Sequence, residues 1–163
     1  AQESRGLGDV YKRQHHDATR TWCIGRRPAE VQAAYDDVLA AFETALVAYA
    51  EPGQPAHELQ DAVLDYFESR GHPTSRSQPS TTEGYVHSLG HGVGLNIHER
   101  PSLSHLAKDD RLQIGNLITI EPGLYYPERG FGVRLEDTIL IDESGALVSL
   151  TDFHKELVLP LRG

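Results

Sequence analysis

The chain of 163 residues has no methionine, one tryptophan and one cysteine. A lone Cys23 excludes an internal disulfide framework and a thiolate zinc site, and it fits a reducing compartment. No apolar run approaches the roughly 18 residues of a membrane span, and no basic start leads into an apolar stretch of the secretory type. The expectation is therefore a cytoplasmic protein with no membrane partner. Positive charge is also scarce. Fifteen Lys and Arg stand against 24 Asp and Glu, a net charge of −9, which argues against nucleic acid and anionic lipid as main partners. Without an initiator methionine, the natural start is expected to be absent, processed or cut off. The length suits a single domain with a real core.

Residues 1–14 show no period and no long apolar run. The stretch Asp9–Gln14, DVYKRQ, is what the codons GAT GTG TAT AAG AGA CAG would encode, a string that resembles the end of a transposon adapter used in sequencing libraries. Residues 1–14 are thus expected to be a non-native or disordered tail, with an ordinary polar N-terminus as the alternative, and are set aside from fold reasoning. Residues 15–163 then form the domain.

Residues 15–24 (HHDATRTWCI) predict a strand, with His15, Asp17, Thr19 and Thr21 on one face and His16, Ala18, Arg20 and Trp22 on the other. Pro28 marks a helix start. Val31, Tyr35, Val38, Phe42, Ala45 and Tyr49 recur at steps of three and four, predicting a long amphipathic helix ended by Pro52 and Gly53. A second helix is predicted from Pro55 to Arg70 on Leu59, Ala62, Val63 and Phe67, closed by Gly71. Residues 72–83 read as a loop. Beyond Gly84 the texture turns to short β-type runs, with strands predicted over 117–121, 131–141, 146–150 and 156–161 and a hairpin turn at Gly145. Helices followed by a run of strands make an α+β pattern.

Four segments place polar residues in poor settings for surface groups: Asp17 in its strand, His91 and His98 in GHGVGLNIHERP (90–101), Glu121 in TIEPG (119–123), and Arg134 with Glu136 in GVRLED (132–137). Glu121 ends an apolar strand. A carboxylate there either emerges into solvent or is held by a cation, because burying it unpaired costs several kcal/mol. In the 131–141 run, Arg134, Glu136 and Thr138 share one face, while Phe131, Val133, Leu135, Ile139 and Ile141 make the other apolar. Taken alone, Arg134 and Glu136 could equally line a solvated face. His87 and His91 have the four-residue spacing of a helical zinc site, but Gly90, Gly92 and Gly94 oppose a helix, and Ser88 stands where that motif needs Glu. Alternating glycines instead let backbone approach a buried site closely. One imidazole-bearing loop and three carboxylates suit a hard or borderline divalent ion such as manganese, cobalt, iron or zinc.

The ordered set HHDATRT, HSLGHGVGLNIHERP, TIEPGLYY and GVRLED resembles the pita-bread metallopeptidases, the family of methionine aminopeptidase, Xaa-Pro aminopeptidase, prolidase and the non-peptidase creatinase. It spans residues 15–163 and looks most like the Xaa-Pro branch. The resemblance implies a pita-bread α+β fold, truncated at its N-terminus, with a curved antiparallel sheet and helices on its outer face. It implies Asp17, His91, Glu121 and Glu136 as ligands of two divalent ions, manganese first among them. It further implies Glu121 as the proton shuttle, His98 and His87 as substrate-side catalytic histidines, and Arg134 and Thr119 as supporting groups. The substrate would be a peptide with proline at its second position, attacked by a metal-activated water, and the full-length protein would be a homodimer. A non-catalytic peptide- or protein-binding module and a creatinase-like C–N hydrolase are the alternatives. The family carries a further Asp ligand eleven residues before Asp17, where this chain has Gly6, and also a substrate histidine and usually a domain upstream. The chain as it stands is therefore expected to be feeble or inactive, and the full gene product an enzyme.

Overall fold

The computed structural model describes residues 15–159. The expected tail over 1–14 and the position of Gly6 lie outside the described residues. Helix α1 (Ala29–Ala48) begins directly after Pro28, whose fixed φ suits a helix start and whose missing N–H would be unpaired there in any case. Its stripe of Ala34, Tyr35, Val38, Ala41, Phe42 and Ala45 is buried, the face set out by the three-and-four spacing. Helix α2 (His57–Ser69) buries Leu59, Gln60, Val63, Leu64 and Phe67. Ala62, expected on that stripe, lies only half-buried at its border. At its end Gly71 adopts a positive φ of 82°. The N–H of His72 donates to the carbonyl of Phe67 (3.0 Å), and that of Gly71 to the carbonyl of Glu68 (3.0 Å). This pair of bonds satisfies carbonyls the helix leaves open, and glycine enters the left-handed region without penalty.

The strands are β1 (Cys23–Ile24), β2 (Gly90–Gly92), β3 (Glu99–Leu103), β4 (Leu117–Ile120), β5 (Gly123–Tyr126), β6 (Phe131–Arg134), β7 (Asp137–Ile141), β8 (Leu147–Ser149) and β9 (Val158–Leu159). Five of them form an antiparallel sheet in the order β3-β2-β4-β7-β8, β5 and β6 form a separate hairpin, and β1 pairs with β9 in parallel. The two helices pack on each other, α1 also against β5 and β6, and α2 against β3. Their apolar faces join Ile118, Ile120, Leu124, Val133, Leu135 and Ile139 in one core. Each such large side chain contributes about 1.5–3 kcal/mol on burial. The α+β reading holds. Among the described residues, no helix is long and apolar enough to cross a membrane.

Two strand expectations need correction. Residues 15–24 are not one strand. Only Cys23–Ile24 joins a ladder, and Thr19 makes a single antiparallel bridge with Glu136. The predicted alternation survives without the ladder. Thr138 Oγ1 donates to the carbonyl of Asp17 (2.6 Å) and accepts from its N–H (3.2 Å), while Thr21 Oγ1 exchanges bonds of 3.0 Å with the backbone of Arg134. The hydroxyls thus replace backbone partners. The predicted 131–141 strand is two, divided at Leu135 and Glu136. Opposite this break lies Pro122, which has no N–H to continue a ladder, and its carbonyl accepts from Leu135 N–H (3.3 Å). The chain there leaves the five-stranded sheet for the β5-β6 hairpin. Glu121 and Glu136 sit at matched breaks in adjacent strands, where side chains leave the regular pleat.

Candidate metal centre

Each proposed ligand arrives on a different element. Asp17 lies on the extended segment before β1, His91 in the middle of β2, Glu121 just after β4, and Glu136 between β6 and β7. His91 Nε2 lies 3.4 Å from Glu121 Oε1 and 3.7 Å from Asp17 Oδ2. Donor atoms of His91, Glu121 and Glu136 fall within 4.8 Å of one another, as do those of Asp17, His91 and His98. His91 belongs to both groups.

The glycines of β2 explain how this strand reaches the site. A Cβ on Gly90 would lie 2.0 Å from the carbonyl oxygen of Thr119 on neighbouring β4, closer than any side chain allows. Thr119 then organises both neighbours. Its hydroxyl accepts from the N–H of His91 (3.0 Å) and donates to Glu121 Oε1 (3.2 Å).

The imidazole of His91 is aimed by its other nitrogen. Nδ1 lies 3.0 Å from the carbonyl oxygen of Gly92. A carbonyl only accepts, so Nδ1 carries the proton and Nε2 presents its lone pair to the carboxylates. Burial lowers the pKa of His91, which favours this neutral form. A lone pair facing two carboxylates is repulsive unless a cation or a proton lies between them.

Glu136 is the most deeply placed carboxylate of this cluster, 1% exposed. Its Oε2 accepts from Thr19 Oγ1 at 2.5 Å, and Arg134 Nη2 stands 3.9 Å away. Its Oε1 is buried with no hydrogen-bond partner. Burial pushes its pKa up to about 7, with the Thr19 bond opposing and Asp17 adding to the rise. Burial also pushes Glu121 up to about 8, reinforced by Glu136 and opposed by Arg134 and Thr119. Three carboxylates crowd one spot with a single guanidinium at its edge, since Arg134 reaches both Glu121 and Glu136 only at 3.9 Å. The orphaned Oε1 of Glu136, the directed Nε2 of His91 and the raised carboxylate pKa values fit a divalent cation held by oxygen and imidazole donors.

The two remaining histidines differ. His98 is exposed and lies edge-on to His91, ring centroids 4.2 Å apart. Its distance from Asp17 and His91 suits metal ligation as well as the substrate contact expected of it. His87 donates from Nδ1 to the carbonyl of Ser88 (2.7 Å), leaving a buried, unpartnered Nε2 between the rings of Tyr85 and Tyr125. Burial lowers its pKa, so it offers an acceptor beside the cluster.

Sequence reasoning missed a buried triad behind the cluster. Asp137, 0% exposed, pairs with Arg20 Nη2 (2.7 Å) and Lys155 Nζ (2.6 Å). The signal was present. Asp137 is the one carboxylate on the otherwise apolar face of the 131–141 run, where only a buried cation could balance it.

A family model described as metallopeptidase family M24 matches residues 7–143. A Xaa-Pro dipeptidase of Pyrococcus furiosus is 40% identical over 152 residues, 93% of this chain and 40% of that protein. The crystal structure of the prolidase from Pyrococcus horikoshii superposes with a TM-score of 0.76 at 37% identity, covering 91% of this chain and 39% of that one. That of the X-Pro aminopeptidase from Thermotoga maritima gives a TM-score of 0.77 at 29% identity, covering 93% and 39%. The chain thus spans about two fifths of the length of these relatives, and its architecture is the pita-bread fold they share. The chain belongs to metallopeptidase family M24.

Proposed function

We propose that these residues form the metal-ligating part of a peptidase that hydrolyses the bond between an N-terminal residue and a following proline. The convergence of Asp17, His91, Glu121 and Glu136, with the buried Oε1 of Glu136 left unpartnered, carries this reading. The Xaa-Pro dipeptidase, X-Pro aminopeptidase and prolidase relatives support the substrate class. Two divalent ions are proposed, manganese first, with cobalt, zinc or iron as alternatives. Bound ions of this kind acidify water and polarise a peptide carbonyl. Asp17, Glu121 and Glu136 would hold them through carboxylate oxygens and His91 through Nε2.

Glu121 has a second task. Its carboxylate, ionised once a cation is bound and steadied by the Thr119 hydroxyl (3.2 Å), is suited to accept a proton from the attacking water and return it to the departing amine. Here that amine is the proline nitrogen, which cannot leave unprotonated. Thr119 and Arg134 keep the carboxyl oriented for both transfers. His98, exposed at the rim, and His87, an acceptor through Nε2, would contact the substrate. A homodimer, a cytoplasmic setting and the absence of nucleic-acid or membrane partners belong to the same proposal.

Activity should be tested on Xaa-Pro dipeptides, longer peptides with proline second, and creatine, using manganese-loaded preparations of this chain and of any longer protein that contains it. Cleavage of Xaa-Pro bonds by either preparation supports the reading. Turnover of creatine alone would favour a C–N hydrolase, and binding of peptides without cleavage a binding module.

A further inference from the structure

Arg20 is buried, its side chain 5% exposed, and every N–H of its guanidinium meets an oxygen. Nε donates to the carbonyl of His154 (3.1 Å). Nη1 donates to the carbonyls of Thr19 (3.0 Å) and Glu136 (2.8 Å). Nη2 donates to Asp137 Oδ1 (2.7 Å) and to the carbonyl of Phe153 (2.8 Å). Five donors in one rigid plane join three stretches of chain: the Asp17–Thr21 segment, the break that carries Glu136, and residues 151–157.

Two of these stretches lack ladders of their own. Residues 15–22 make one backbone bridge, at Thr19, and are otherwise tied to the strands by bonds through the hydroxyls of Thr138, Thr19 and Thr21, while residues 151–157 form no strand. Charge balance does not explain the arrangement. Lys155 already lies 2.6 Å from Asp137 Oδ2, and Ser149 Oγ donates to the same oxygen (3.1 Å). What Arg20 adds is geometry, because its fork reaches the backbone of Glu136 and of Thr19 together. A lysine, with three donors at one point, cannot span these acceptors.

We infer that Arg20 is a positioning residue of the metal centre, holding the segment that bears Asp17 at a fixed distance from Glu136 so that both carboxylates face one point. The inference rests on the metal-centre reading above, and its test separates the two. In the metal-free full chain, Arg20→Lys should speed amide hydrogen exchange about tenfold over residues 17–21 and at Glu136 while leaving 117–120 and 138–141 unchanged. Lys155→Met, which removes a cation from Asp137 but no bond to Thr19 or Glu136, should leave 17–21 unchanged. Unaltered exchange over 17–21 in Arg20→Lys, or equal acceleration in both variants, would overturn the inference.

If Arg20→Lys does not fold, exchange of the wild type in rising urea decides. Residues 17–21 and 151–157 should open together, and independent opening would contradict a shared clamp. With cobalt(II) as probe, Arg20→Lys should bind about tenfold more weakly than wild type and Lys155→Met equally well. Equal affinity in Arg20→Lys would count against the positioning role. If the wild type takes up no cobalt, the metal reading fails, and the exchange result alone decides whether Arg20 holds the two segments.

Discussion

The hydroxyl of Thr19 donates to Glu136 Oε2 at 2.5 Å and accepts from Arg134 Nη2 at 3.0 Å. One side chain therefore ties a buried carboxylate to its nearest cation and turns the other oxygen, Oε1, away from any protein partner. Removing this hydroxyl leaves Oε2 in the same condition. Thr19→Val should destabilise the fold by about 1–3 kcal/mol, the usual penalty for an unsatisfied buried acceptor. It should also raise the pKa of Glu136 further, since the lost bond is the one that lowers it. Urea denaturation of the metal-free protein measures the first effect, and carboxyl resonances followed by NMR across pH measure the second.

The raised carboxylates make stability depend on pH. Glu121 and Glu136 stand at about 8 and about 7, against an ordinary 4.5. The folded state then holds more protons than the unfolded one between these values, so stability falls as pH rises. Their contribution is intact below about 4.5 and lost as pH climbs through about 7 to 8. Metal-free protein should unfold more readily at about pH 8.5 than at about pH 5.5, and Glu121→Gln should flatten that decline. A wild-type stability that rises steadily across this interval would contradict the assigned burial.

Metal uptake should release protons over the same range. At about pH 6 both carboxyls are protonated and must ionise to bind a cation, whereas at about pH 9 they are already ionised. Calorimetry of manganese binding in buffers of different ionisation heat should count up to two protons at the lower pH and almost none at the higher.

Gly90 has no room for a side chain against Thr119. Gly90→Ala should lower stability by about 1–3 kcal/mol through forced backbone movement. Because His91 follows directly and is held by Thr119, metal affinity should fall as well. A thermal melt and a manganese titration test both.

The helices were legible because their apolar spacing and end signals agree with their packing, as Tyr35, Val38 and Phe42 on α1 show. Asp17, His91, Glu121 and Glu136 stood out as candidates because each is a charged or imidazole group in an apolar or glycine-rich setting, and the structure brings their donor atoms close together. The 15–22 segment was harder. Its alternation is that of a strand, but its partners are the hydroxyls and guanidinium of Thr19, Thr21, Thr138 and Arg20, and hydrogen bonds between side chains and backbone leave no periodic trace. The short strands β2, β3 and β5 went unpredicted, since Gly90, Gly92, Pro101 and Gly123 oppose a strand and outweigh the favourable Leu124, Tyr125 and Tyr126 of β5.

Glu121→Gln should abolish the proposed proton transfers while preserving shape. In metal-loaded protein that cleaves Xaa-Pro peptides, turnover should fall by about 10²–10⁴-fold while far-ultraviolet circular dichroism shows the fold retained. Undiminished turnover would remove Glu121 from its assigned role.

Asp17, His91, Glu121 and Glu136 together are proposed to hold two divalent ions. Titration of cobalt(II) into the metal-free protein, followed by its visible absorption, tests this directly. Binding should be saturable, with a spectrum altered by imidazole coordination, lost in His91→Ala and weakened in Glu136→Gln. Cobalt uptake that is indifferent to both substitutions, or no uptake by the wild type, would contradict it.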